Sequence, residues 1–410
     1  MKLVGLITEY NPFHNGHKYH IEKSLKATGA DAAIVVMSGN YVQRGTPALM
    51  PKHLRAEMAL HSGAAVVLEL PVHYATGGAE YFARGVVTLF DKLNCIDTIC
   101  FGCEFEDVDS LEKIARILSD EPLKYKEILQ QNLRAGLSFP MARQEALQKY
   151  TMDESLSKYL SMPNSILGIE YIKALYQLKS TITWKAIRRE GSHYHDNTLT
   201  HTYSSATAIR QDLEANGFDT DKLTPYVPIP TLSIFKEYYH TRFPIVTDDF
   251  SLLLKSRLLT ETKESLLEYL DVSQELANRI FKLSNKFQSF SQFCDLLKSK
   301  DVTYTRISRA LLHILLNIKK EYITLFSQDG TILYARILGF QNEYSNVLSL
   351  LNKQNTIPLI AKTTDANTLT GSALIMWTQD LFASNLYEAV ISEKYNCAFQ
   401  NDCMHQILSI

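Results

Sequence analysis

Four short apolar runs, separated by stretches of helical spacing, open this 410-residue chain. LVGLIT at 3–8 leads into GHKYHIEKSLKAT, AAIVVM at 32–37 into PKHLRAEMALHSG, and AVVLELP at 65–71 into GAEYFARGVVTLFDKL; DTICFG at 97–102 ends the series. Apolar runs this short read as buried strands, and the helices between them are the crossovers a parallel sheet needs. The alternation restricts the chain to the α/β class, with a parallel sheet covered on both faces. The glycine-containing strand ends HNGH, MSGNYVQRG and CFGCE then share one edge, the one where open α/β sheets bind ligands.

From 105 to about 180 the pattern is mostly helical and rich in Leu, Lys and Glu, an insertion ahead of ITWKAIRR, which returns to strand character. SSATAIRQDLEANG starts a helix, with Ser204 or Ser205 as N-cap and Gly217 past its last turn. Pro225, Pro228 and Pro230 mark the boundary expected between two domains, 1–224 and 225–410. The second reads as helical from Asp248 to about Lys320, then as mixed, with YITLF, ILYARILGF and PLIAKT as strands and SNVLSLLNK as a helix.

Composition bounds the partners. The chain is 46% hydrophobic and 21% charged, enough for a large core, and its formal net charge of −2 supplies no global attraction for nucleic acid. RNA binding would need a local basic face. The six cysteines are too scattered for a disulfide framework and point to a reducing compartment. The N-terminal apolar stretch is too short for a signal h-region, and no apolar run reaches the ~18 residues of a membrane span. A cytoplasmic protein with no membrane partner is expected.

Two motifs carry chemistry. In HNGH, His14 and His17 flank Asn15 and Gly16 where a strand gives way to a helix. A helix N-terminus favours phosphate, Gly16 would admit it close to the backbone, and the two imidazoles, protonated or donating, could bond its oxygens. That suits attack at a nucleotide α-phosphate with pyrophosphate leaving. In SSATAIR, two hydroxyls at a helix start and Arg210 further along could hold a polyphosphate. Each motif alone is equally an ordinary turn or an N-capped helix.

HNGH resembles the HxGH signature of the nucleotidylyltransferases, and SSATAIR their ISSTxIR signature, with Tyr203 and Ala206 standing where Ile and Thr are usual. The resemblance covers 1 to about 220 and implies a Rossmann-like domain binding ATP or another nucleotide between the motifs. A narrower one covers nearly the whole chain. GLITEYNPFHNGHKYH, MSGNYVQRGTPA, CFGCE, MPNSILGIEYIKAL, IRREG followed by HYHD, SSATAIR, TRISRALLHILL and YARILGF are similar to the bacterial tRNA(Met) cytidine acetate ligases. That resemblance implies ATP-dependent activation of acetate to acetyl-adenylate, then transfer of the acetyl group to the wobble cytidine of elongator tRNA(Met). It implies His14, His17 and Arg210 as catalytic. It implies ATP contacts from Ile7, Thr8, Glu9, Tyr10, Asn11, Pro12, Phe13, His14, Asn15, Gly16, His17, Lys18, Tyr19 and His20, and from Gly102, Asn164, Arg188, Arg189 and Ser205. Magnesium is expected with the ATP phosphates.

For tRNA, the expected cations are Arg44 and Lys52 in a polar loop with Gln43 at the catalytic edge, and Arg306, Arg309, Lys319 and Lys320, with His313 near the same helical face. Cys100 and Cys103 have CxxC spacing, but ICFGC is strand-like and Cys100 reads as core. Two alternatives share the motifs: a nucleotidyltransferase adenylylating a small phosphorylated metabolite, and a non-catalytic nucleotide-sensing RNA-binding protein.

Overall fold

Alternation along the first two strands sorts the core into two layers. In β1 (Leu3–Thr8) and β2 (Ala32–Ser38), Leu3, Ala32, Ile34 and Val36 pack to one face, and Val4, Leu6, Ala33, Val35 and Met37 to the other. Each buried aliphatic side chain contributes roughly 1.5–3 kcal/mol, so a strand covered on both sides is strongly held in register. The computed structural model describes residues 1–105, 107–189, 203–299 and 302–410; the HYHD stretch lies outside the described residues.

Helix α1 (Asn15–Thr28) joins β1 to β2. The hairpin β3 (Tyr41–Val42) and β4 (Thr46–Pro47), α2 (Lys52–Leu60), β5 (Val66–Leu70), α3 (Val72–Ala75), α4 (Ala79–Leu93) and β6 (Thr98–Cys103) follow. The insertion is helical as expected: α5 (Val108–Asp120), α6 (Leu123–Arg134), α7 (Phe139–Thr151) and α8 (Pro163–Leu178) precede β7 (Thr183–Arg188). Then come α9 (Ala206–Asn216), α10 (Thr220–Leu223) and α11 (Ile229–Tyr238). A helical bundle of α12 (Ser251–Leu258), α13 (Lys263–Leu266), α14 (Gln274–Leu283), α15 (Phe290–Leu297) and α16 (Tyr304–Leu315) leads to α17 (Lys320–Asp329). The chain ends with β8 (Ala335–Phe340), α18 (Ser345–Gln354), β9 (Leu359–Ile360), α19 (Gly371–Tyr395) and β10 (Leu408–Ser409).

The strand order is β10-β8-β5-β2-β1-β6-β7, with β9 beside β8. The Rossmann-like parallel part is β5-β2-β1-β6-β7. β8 runs antiparallel to β5 and is itself flanked in parallel by β9 and β10, so the sheet is mixed. Register brings Gly102 opposite Ile187 and Cys103 opposite Arg188, at the same edge as the end of β1.

The boundary expected at Pro225 does not divide this sheet. Strands from beyond it complete the edge beside β5, and one hydrophobic core holds Leu3, Ile34 and Phe90 together with Phe326, Ile337 and Trp377. YITLF, expected as a strand, lies inside α17: Ile323 and Phe326 stand three apart and bury one helical face, which outweighs the β-branched local composition. The strands expected in ILYARILGF and PLIAKT are shorter, Ala335–Phe340 and Leu359–Ile360, and the 25-residue α19 was not anticipated.

A buried quartet of charges fastens the two ends of the chain. Lys52 Nζ donates to Glu69 Oε2 at 2.8 Å, to Asp402 Oδ2 at 3.0 Å and to Ser384 Oγ at 2.9 Å. Arg336 reaches the same two carboxylates, Glu69 at 3.2 Å and Asp402 more closely. Burial alone would raise the Asp402 carboxyl, but Lys52 and Arg336 hold it well below the usual carboxylate range. Lys52 is 0% exposed, which removes it from the expected RNA face. Among the described residues no helix is long and apolar enough to cross a membrane.

Candidate active site

A cavity of about 260 Å3 opens at the carboxyl edge of β1, β6 and β7. Its wall contains Ile7, Thr8, Glu9, Tyr10 and Asn11 from the end of β1, His14, Gly16, His17, Tyr19 and His20 from α1, and Gly102, Asn164, Arg188, Arg189, Ser205 and Arg210. Sixteen of the expected contact residues thus meet in one place. Four do not line it. Pro12 and Phe13 are buried, the latter in the core. The Asn15 side-chain amide donates to the Pro225 carbonyl at 2.9 Å. Lys18 is exposed and sits 3.8 Å from Glu22. Helical spacing explains the split on α1, since the turn that carries His17 and His20 into the wall carries Asn15 and Lys18 off it.

The two imidazoles cap their own helix. His14 is the N-cap, and its Nδ1 accepts the Gly16 N–H at 3.0 Å. His17 Nδ1 accepts the His14 N–H at 3.3 Å, and the rings stack 3.7 Å apart. This reciprocal arrangement does what Ser and Glu do in a capping box. It also fixes the tautomer: with Nδ1 accepting, the proton of each neutral ring is on Nε2, which remains a donor. Gly16 has a reason beyond phosphate access, because a Cβ there would stand 2.9 Å from the His14 ring carbon Cε1.

The opposite wall is equally built. Ser205 caps α9, its Oγ accepting the Ala208 N–H at 3.1 Å. Arg210 donates to the Asn11 carbonyl and, at 3.1 Å, to Thr207 Oγ1, so the second motif is tied to the first. Asn164 does not cap α8: Glu104 does, accepting the Asn164 and Ser165 N–H groups at 3.0 and 2.9 Å and the Asn164 side-chain amide at 2.7 Å. Beneath the floor, the buried Arg55 donates to the carbonyls of Glu9 at 2.6 Å, Ser38 at 3.1 Å, Met50 at 3.1 Å and Gly39. It pins the ends of β1 and β2 to the loop after β4.

Burial, with Arg189 and Arg210 adding to it, holds His14 at a pKa of about 3, and burial chiefly lowers His17 and His20 as well. Burial thus favours the neutral rings, which act as donors through Nε2–H, over the protonated alternative. His53 and His73 are likewise held at about 3, mainly by burial. Below pH ~6.5 the unfolded chain takes up protons at these sites that the folded chain does not, so stability falls as pH falls. His14, His53 and His73 together would cost roughly 4 kcal/mol between pH 7.5 and 5.5. Asp380, raised by burial and by Glu69, opposes part of this by gaining a proton in the fold. With His17 and His20 adding to the loss, a net fall of about 3–5 kcal/mol is expected from urea unfolding at the two pH values. Equal stability at both would show that these rings are charged in the fold.

Several wall residues had no sequence signal. Phe82, Phe101, Leu167 and Tyr171 give the cavity an apolar side and read in sequence only as core. Arg55 was invisible because its acceptors are main-chain carbonyls from three segments. Gln43, Arg44 and Thr46 do line the cavity, as the expected loop. The hairpin tip leans on α16: Ser308 Oγ donates to the Gly45 carbonyl at 2.8 Å, and at Gly45, φ +78, a Cβ would collide with the Arg309 backbone. On that helix the expected basic face is thinner than its sequence. Arg309 pairs with Asp271 at 2.8 Å, and His313 is 0% exposed and bonded to Thr76 and Leu270. Lys319 pairs with Glu268, and Lys320 donates to the carbonyls of Leu267 and Val272. Arg306 is exposed. Cys100 is buried in the core as read.

A parallel sheet with a histidine-capped helix start, a serine-capped helix start and four arginines around one cavity defines a nucleotidyltransferase, and the HIGH Nucleotidyl Transferase family model matches residues 1–402. The tRNA(Met) cytidine acetate ligase of Caldanaerobacter subterraneus subsp. tengcongensis is 41% identical over 411 residues, covering 100% of both chains. That of Acetivibrio thermocellus is 40% identical over 370 residues, 89% of each. The crystal structure of apo Thermotoga maritima TmcAL matches with a TM-score of 0.94 at 31% identity, and the form bound with alpha-thio ATP with 0.91 at 32%, each covering 100% of both chains. The chain belongs to the tRNA(Met) cytidine acetate ligases, within the HIGH nucleotidyltransferases.

Proposed function

We propose that this protein joins acetate to ATP, forming acetyl-adenylate and pyrophosphate, and passes the acetyl group to the exocyclic amine of the wobble cytidine of elongator tRNA(Met), giving N4-acetylcytidine. The observation that carries the reading is the meeting of both motif helices with Arg188, Arg189 and Arg210 around one cavity. Acetate attacking the α-phosphate needs preorganised donors on the phosphate oxygens and a fixed pocket more than a covalent nucleophile. The Nε2–H groups of His14 and His17 and the Arg210 guanidinium supply the donors, and the starts of α1 and α9 add their dipoles. Gly102 and Asn164 suit the nucleoside end. Among the described residues no group of three or more His, Cys, Asp or Glu side chains could hold a metal, so magnesium would arrive on the triphosphate with its own waters. The free cysteines suit a cytoplasmic workplace.

Acetate-dependent exchange of labelled pyrophosphate into ATP tests the first half-reaction. Nucleoside analysis of tRNA from a strain lacking the protein tests the second. Loss of acetylcytidine supports the ligase; unchanged acetylcytidine with altered cofactor pools favours adenylylation of a small metabolite instead.

Beyond the cavity, the expected tRNA contacts narrow to Arg306 on α16. Each phosphate neutralised steepens the salt dependence of binding by about one unit of log-log slope. Arg306→Ala is therefore expected to flatten the slope for tRNA by about one unit while leaving ATP binding alone. Binding curves from about 50 to 200 mM salt check it, and an unchanged slope removes α16 from the interface.

A further inference from the structure

Glu9 is the one carboxylate in the cavity wall among the described residues, a wall it shares with Arg44, Arg188, Arg189 and Arg210. Both substrates of the first half-reaction are anions. A carboxylate beside them weakens their binding, so anion recognition does not account for it. It is also firmly placed. Its Oε1 accepts the Gln43 main-chain N–H at 2.8 Å, and its own carbonyl accepts from the buried Arg55 at 2.6 Å. Its charge reaches Tyr171, whose hydroxyl is pushed up first by burial and then by Glu9. No described side chain or backbone group is bonded to Oε2. A carboxylate oxygen held there can accept a proton, and of the three reactants only tRNA brings an amine that must lose one as its new bond forms.

We infer that Glu9 takes the proton from the attacking cytidine amine. The inference rests on the ligase reading above. As N4 attacks the acetyl carbonyl of the adenylate, the C–N bond forms and an amine proton passes to Glu9 Oε2. The tetrahedral centre then collapses, the bond from carbonyl carbon to phosphate oxygen breaks, and AMP leaves with the electron pair. Glu9 returns its proton to solvent. General base catalysis of this kind is worth about 10²–10⁴-fold.

Glu9→Gln separates the roles, since a Gln oxygen can still accept the Gln43 N–H. Wild type and variant are loaded with ATP and labelled acetate, mixed with unmodified tRNA(Met) transcript, and quenched on a millisecond scale. Transfer from bound adenylate should fall by about 10²–10⁴-fold in the variant, with pyrophosphate exchange lowered by less than tenfold. Equal losses in both would assign Glu9 to the ATP site or its magnesium and overturn the inference, as would transfer close to wild type. If Glu9→Gln does not fold, Glu9→Asp carries the same comparison, with transfer again lowered more than exchange. Absence of exchange or transfer in the wild type would instead overturn the ligase reading itself.

Discussion

Acetate-dependent pyrophosphate exchange is expected to fall by two to three orders of magnitude when His17 becomes alanine, while the chain stays folded. The effect comes from the Nε2–H. With Nδ1 engaged by the His14 N–H, this donor is fixed in direction before substrate arrives and needs no reorganisation as charge develops. Removing one such donor costs about 10²–10³ in rate. The competing possibility is that the imidazoles matter only as caps. Losing a cap costs about 0.5–2 kcal/mol, well inside a stability of about 5–15 kcal/mol, so it would lower the unfolding midpoint and spare the rate. His17→Gln tells the two apart, because a glutamine can accept the His14 N–H and still present an amide donor. It should recover the midpoint fully and the rate partly. Near-normal exchange in His17→Ala would make the imidazoles structural.

The reasons why one site was legible and another feature was not are local ones. HNGH works within four residues: a cap, a small residue that makes room for the ring, and a return bond from His17. Everything it needs is adjacent in sequence, so spacing alone exposes it. SSATAIR is equally local as a cap, but its tie to Asn11 through Arg210 spans 199 residues and shows only in the fold. The apolar runs fixed the parallel strands because burial on both faces leaves a continuous signature. The antiparallel direction of β8 and the two-residue β10 leave none, and so the proline cluster looked like a domain end. Lys52 is the sharpest case. A lysine in a polar stretch reads as solvated, and what buries it is Asp402, 350 residues further on.

That burial sets the last expected result. Lys52→Met should destabilise the protein by about 3–5 kcal/mol, a large part of its total stability. The methionine fills similar volume and keeps the apolar stem, so packing is not the source of the loss. What is lost is one of two cations facing Glu69 and Asp402, which are 5% and 4% exposed and would be left with Arg336 alone. An uncompensated charge at such depth cannot be rehydrated without opening the sheet between β5 and β8. Replacing Asp402 by Asn in the same chain restores the charge balance, so the double variant should be more stable than Lys52→Met. Arg306→Met, an exposed cation of the same expected RNA group, should stay within about 0.5 kcal/mol of wild type. Urea unfolding of the full chain measures all three. If Lys52→Met and Arg306→Met cost the same, the quartet contributes little, and the two ends of the chain are joined by the hydrophobic core rather than by these charges.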